Sequence, residues 1–168
     1  PIGTGFFYCR RDSLELLRAL GYTVFFPENH AAMLGAARSA NRYMPLAHAQ
    51  GYSQDVCSYL TSDIGACLAG ETPLAAFGVT SVPRADVLVF NTNQCRDVQD
   101  WFNWYGEKFN APVLGVHTYR GVSEVTDKHI YSIAKQLEAL IPPLEKMTTP
   151  STSWARTRSR VLVSRSGG

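Results

Sequence analysis

The chain has 168 residues, 45% hydrophobic and 18% charged, enough to bury one core without disulfides or metal ions as staples. No apolar run approaches the roughly 20 residues of a membrane span, and the first seven residues lack the charged and long apolar regions of a signal peptide. The net charge of +2 hides an asymmetry: Arg156, Arg158, Arg160 and Arg165 all follow the last acid, Glu145. Without those four, acids outnumber bases, so the body offers no basic stripe for nucleic acid.

In chain order, residues 2–8 read as a strand closed by Cys9. Asp12 or Ser13 caps a helix whose stripe is Leu14, Leu17, Ala19 and Leu20, and Gly21 ends it. Residues 23–26 form a second strand stopped by Pro27, and Asn29 caps a helix that begins at His30. Residues 38–50 give no clear pattern. Residues 52–69 read as one long helix with Ser53 at its cap and Gly70 at its end.

The run Val87-Leu-Val-Phe90 is a buried parallel strand, and residues 96–109 a helix made heavy by Trp101, Phe102 and Tyr105. Residues 112–116 form another strand. A last helix over 126–147 carries Ile130, Ile133, Leu137, Leu140 and Leu144, with Pro142 and Pro143 expected to kink it. Residues 148–168, rich in Ser, Thr and Arg, read as a disordered or non-native tail. Strands alternating with helices predict a single α/β domain over 1–147: a three-layer parallel sheet flanked by helices, Rossmann-like or flavodoxin-like.

In such sheets ligands gather at the carboxyl ends of the strands, where Cys9, Cys95 and His117 should lie. The chain has four cysteines at irregular spacing. Without an export signal they read as free thiols or metal ligands in a cytoplasmic protein. Cys57 opens a helix and Cys95 follows a strand, places where a thiolate is exposed and electrostatically favoured. Cys67, ten residues along the same helix as Cys57, reads as core. His30 reads as a pocket-facing group or a polar residue of a first helical turn. Asn91, Thr92 and Asn93 read as hydrogen-bond donors to a ligand or as a plain turn. His48 and His129 read as surface residues. Gly3-Thr-Gly5 is only a fragment of a phosphate loop.

Several stretches occur together and in order: PENHAA at 27–32, GYSQDVCSY at 51–59 followed by DIG at 63–65, NTNQC at 91–95, WFNWY at 101–105, FNAPV at 109–113 and QLE at 136–138. They resemble the 2-hydroxyacyl-CoA dehydratase family, most closely its benzoyl-CoA reductase-like subunits, over about residues 3–147. The resemblance implies a radical enzyme subunit whose [4Fe-4S] cluster is held by three cysteines. An ATP-dependent activator protein supplies a low-potential electron, and an acyl-CoA thioester is reduced to a ketyl radical. A second homologous subunit is implied as partner; no nucleic acid or membrane is.

Cys57 and Cys95 match two of the family's cluster cysteines; the third belongs to a later α/β domain that this sequence does not reach. Cys9 is the remaining candidate ligand, and His30, Asn91 and Asn93 are candidates for the substrate pocket. The competing expectation is a non-catalytic α/β module that keeps the fold without a complete cluster site. If the unit is a truncated one, it is expected to expose part of the aromatic set Trp101, Phe102, Trp104 and Tyr105 and to self-associate or to be soluble only alongside a partner subunit.

Overall fold

Strands buried on both faces are apolar at successive positions, and Val87 to Val89 meet this rule with each residue at most 1% exposed. The computed structural model describes residues 4–7 and 14–148. It contains four parallel strands, β1 (Thr4–Phe7), β2 (Thr23–Phe25), β3 (Val87–Asn91) and β4 (Val113–Val116), in the order β2-β1-β3-β4. The helices are α1 (Leu14–Ala19), α2 (Pro27–Ala36), α3 (Ala40–His48), α4 (Ser58–Ala69), α5 (Arg96–Phe109) and α6 (Asp127–Thr148). A 3-10 turn, Pro73–Phe77, lies between α4 and β3.

The period of two along β3 sorts the core. Val87 and Val89 pack with Leu17, Val116, Leu140 and Leu144, under α1 and α6. Leu88 packs with Leu60, Ile64, Trp101, Phe102 and Tyr105, under α4 and α5. The fold is therefore an α/β unit whose small parallel sheet is flanked by helices. The chain adds β2 on one side of β1 and β3 on the other, so the strand order reverses direction between β1 and β3. Crevices for ligands form at such reversals, outside the carboxyl ends of the strands.

Several boundaries differ from expectation, each for a local reason. Helix α2 begins at Pro27, with Phe26 at its cap, so Asn29 is inside the first turn rather than capping it. Proline has the φ a first helical residue needs and lacks an N–H that would be unpaired there. Helix α4 begins at Ser58, not near Ser53. The Ser53 hydroxyl accepts the Asp55 N–H at 3.2 Å in a local turn, and Cys57 takes the cap position. Gly70 closes α4 with φ +68, as expected. Residues 40–48, where the sequence gives no clear pattern, form α3 in spite of Pro45.

The aromatic face of α5 is interior: Trp101, Phe102 and Tyr105 are at most 1% exposed and Trp104 is half-buried. The expected exposed patch is therefore absent from that face. Ile130, assigned to the apolar stripe of α6, is exposed together with Tyr131; the buried stripe rests on Leu140 and Leu144, with Ile133 and Leu137 partly buried against it. His48 and His129 are half-buried rather than on the surface.

Candidate functional site

Asp63 is a carboxylate in the middle of an apolar helix, and it organises the space beneath the two cysteines of interest. It is fully buried. Its Oδ1 accepts from His30 Nδ1, and its Oδ2 accepts from Trp101 Nε1 at 2.9 Å and the Tyr105 hydroxyl at 2.5 Å. His30, itself 1% exposed, places Nε2 2.7 Å from Thr72 Oγ1. Burial pushes the Asp63 carboxyl above its ordinary range, against the pull of the His30, Tyr105 and Trp101 hydrogen bonds. Burial and the Asp63 charge hold the Tyr105 phenol well above its own, so it stays a donor. Every polar atom of Asp63 is thus used in joining α2, α4 and α5.

This network fixes the relative direction of two helices. Asp63 of α4 meets Trp101 and Tyr105 of α5, and Cys67, one turn further on, neighbours Tyr105 and Lys108. Helices α4 and α5 therefore run alongside each other in the same sense. Cys57 is the cap residue of α4 and Cys95 the cap residue of α5, and both are exposed. Unpaired N–H groups at a helix start favour an anionic ligand nearby.

Cys95 and His117 follow β3 and β4 at the carboxyl rim. Gln136 of α6 clamps the His117 backbone from both sides: its Oε1 accepts the His117 N–H at 2.7 Å and its Nε2 donates to the His117 carbonyl at 3.0 Å. Asn91 ends β3, and its Oδ1 accepts the Asn93 N–H at 3.0 Å, which makes the turn after the strand. Asn93 is exposed. His30 is sealed in the Asp63 network. Cys9 lies outside the described residues. Among the described residues no three His, Cys, Asp or Glu side chains gather to hold a metal ion. Cys57 and Cys95 are exposed thiols, the donor type an iron–sulfur cluster takes, each at a helix start.

Asp63 and its partners were missed as a unit in the sequence. The available signal was a lone carboxylate within the stretch Leu60 to Leu68, which otherwise reads as core. The same burial accounts for Cys67, whose thiol is pushed up to about 11 by desolvation and by the Asp63 charge. Iodoacetamide at about pH 8 is expected to alkylate Cys57 and Cys95 readily and Cys67 only after unfolding. Peptide mass spectrometry reads the outcome, and rapid labelling of Cys67 in the folded chain would contradict this packing.

The protein is thus an α/β unit with a small parallel sheet and an exposed cysteine at the N-cap position of each of two helices, α4 and α5. The chain belongs to the family described as 2-hydroxyglutaryl-CoA dehydratase, D-component, whose family model matches residues 13–165. It is 28% identical over 132 residues to the (R)-2-hydroxyisocaproyl-CoA dehydratase alpha subunit of Clostridioides difficile, covering 78% of this chain and 31% of that one. It is 26% identical over 135 residues to the (R)-phenyllactyl-CoA dehydratase alpha subunit of Clostridium sporogenes, covering 80% and 32%. A benzoyl-CoA reductase subunit of Thauera aromatica is 26% identical over 136 residues, covering 80% and 31%. The chain spans about a third of the length of these curated relatives. No helix among the described residues is long and apolar enough to cross a membrane.

Proposed function

We propose that residues 1–147 are the part of an iron–sulfur enzyme subunit that contributes two thiolates, Cys57 and Cys95, to a [4Fe-4S] cluster. The observation that carries this reading is the placement of both exposed thiols at the starts of two helices that run side by side. The relatives named above, subunits of acyl-CoA dehydratases and of a benzoyl-CoA reductase, give the chemistry. When bound, such a cluster supplies low-potential electrons for forming a ketyl radical from an acyl-CoA thioester. The three-layer, Rossmann-like description of the unit belongs to the same proposal, supported by core packing on both faces of β3.

In this reading the chain's own residues act as a scaffold. Asp63 holds α4 against α5 and so sets the separation of the two thiols. The turn at Asn91 and Asn93 presents polar groups beside Cys95, where hydrogen bonds to sulfur tune potential and access. The third thiolate comes from sequence beyond these residues, with Cys9 as the alternative. A second homologous subunit, an ATP-dependent activator and an acyl-CoA substrate are the partners this reading requires, in a cytoplasmic setting.

Two thiolates leave part of a cluster without protein ligands, so the chain alone is expected to bind iron and sulfide substoichiometrically after anaerobic reconstitution. Cys57→Ser and Cys95→Ser should each reduce bound iron, the double variant should abolish it, and Cys67→Ser should leave it unchanged. Iron and acid-labile sulfide analysis after gel filtration is the measurement. Equal iron in the wild type and the double variant would sink the reading. It would also favour the alternative, a non-catalytic α/β module that keeps the fold without a complete cluster site.

A further inference from the structure

The outer edge of the sheet carries hydrogen-bonding groups that nothing among the described residues uses. Strand β4 ends the order β2-β1-β3-β4, so only one of its sides meets another strand. The register settles which residues look outward. Leu88 pairs with Val113 and donates its N–H to the Pro112 carbonyl at 2.9 Å, and the Thr92 N–H reaches the Val116 carbonyl at 3.0 Å. In a parallel ladder this commits the backbone groups of Leu114 and Val116 to β3 and turns those of Val113 and Gly115 away from it.

The open stretch has sharp limits. Before it, the Ala111 N–H is taken by the Gly106 carbonyl at 2.9 Å. After it, the Gln136 amide fills both backbone positions of His117, as one residue of a neighbouring strand would. Between them the N–H and C=O groups of Val113 and Gly115 have no partner among the described residues, and Gly115 is exposed. Free edges are ordinarily guarded by a charge, a proline or a bulge, whereas β4 reads Val-Leu-Gly-Val.

The donor and acceptor charges of this window complement themselves. When two β4 strands run antiparallel about a two-fold axis at Leu114, Val113 of one copy stands opposite Gly115 of the other. Both such pairs exchange N–H and C=O bonds, as facing residues of an antiparallel ladder do, so every open donor meets an open acceptor. Leu114 meets its own copy at the axis, and Val113 lies beside a residue with no side chain. The same operator sets α6 beside α6 on one face of the joined sheet and α5 beside α5 on the other, because these helices touch β4. The contact is isologous and closes after two copies.

We propose that β4 is a docking edge for a second copy of this chain, the two sheets joining antiparallel through Val113 and Gly115. The strand pairing is short and by itself covers less than the roughly 800 Å² per partner of a standard stable interface. The dimer is therefore weak and reversible, with dissociation in the micromolar range.

The test uses the full chain under reducing conditions, so that the exposed thiols form no covalent dimer. Sedimentation over a concentration series should show monomer passing into dimer. Amide exchange followed by NMR should slow at Val113 and Gly115 as the dimer fills, whereas the Leu114 and Val116 amides, bonded to β3, should be protected throughout. Gly115→Pro removes an outward donor and should weaken dimerisation about tenfold or more. Gly115→Ala keeps the N–H while adding a Cβ 3.2 Å from Phe90 Cζ, and should still dimerise. Where the proline variant fails to fold, the concentration dependence of the two wild-type amides decides alone.

A monomer at every concentration with rapid exchange at Val113 and Gly115 overturns the proposal. Protection of those amides that does not depend on concentration overturns it too, and hands the edge to another part of the same chain. So does a dimer that leaves both amides open or survives Gly115→Pro. The Cys57→Ser, Cys95→Ser double variant should dimerise as the wild type does, so this result and the cluster reading stand or fall separately.

Discussion

Replacing Asp63 by alanine is expected to destabilise the fold by about 3–5 kcal/mol, the range for removing one partner of a buried charged network. The loss comes from what remains. His30 Nδ1, Trp101 Nε1 and the Tyr105 hydroxyl would be left as buried donors without an acceptor. Urea denaturation at neutral pH measures it, and a change below about 1 kcal/mol would show that the three donors find other partners.

Asp63→Asn keeps the shape and removes the titrating group, while turning one acceptor oxygen into an amide donor, and the pH dependence then has a definite sign. The carboxyl is raised in the folded state by burial, so the folded chain binds this proton more tightly than the unfolded chain does. The proton-linked part of the Asp63 contribution is therefore fully present below the ordinary carboxyl range and is lost as pH rises through its folded value. The difference in stability between wild type and Asp63→Asn should follow that slope. The activity-independent readout matters because Asp63 touches neither thiol.

A second large effect is expected at Gly65. Helices α3 and α4 approach so closely there that an added Cβ would overlap the Tyr43 carbonyl oxygen and lie 2.5 Å from its carbon. Backbone cannot rotate away as a side chain does. Gly65→Ala should lose about 3 kcal/mol, the upper end of ordinary overpacking, and loosen the Tyr43 hydroxyl from Glu71, 3.2 Å away. Gly35→Ala makes the same chemical change in α2, with nothing within 4 Å of the new atom. It should stabilise by about 0.5 kcal/mol through helix propensity alone. Opposite signs in thermal melts would confirm the α3–α4 contact; matching signs would refute it.

The two glycines look alike in the sequence, which shows where sequence reasoning stops. Elements governed by a continuous apolar run or one strong face were legible: β3 from Val87 to Phe90, α5 from its aromatic residues, and the end of α4 at Gly70. Starts governed by competing local hydrogen bonds were not. Ser53 could cap a helix or make a turn, and it makes the turn; Pro27 could stop a strand or start a helix, and it does both. The position of Cys95 before a helix at 96–109 was readable from its neighbours, whereas Cys57 sits at the cap itself because α4 begins later than residue 52. The Asp63 network was not, because His30, Asp63, Trp101 and Tyr105 come from three helices whose register only tertiary packing sets.

The paired prolines of α6 carry one more consequence. Pro142 and Pro143 have no N–H, so the carbonyls of Glu138 and Ala139 lose their helical partners; both residues are exposed, and water can take the donors' place. Helix α6 nevertheless runs on through Pro142 and Pro143 to Thr148 without the expected interruption, and past the missing donors it is not held by its own ladder alone. Leu144 is fully buried, and its carbonyl accepts from the Tyr22 hydroxyl at 3.0 Å, across 122 residues of sequence. The final turns of α6 are therefore held by tertiary contacts as well as by the helix itself. Their amides should exchange with solvent in step with the α1–β2 connection near the start of the chain, and not with the first turns of the helix to which they formally belong.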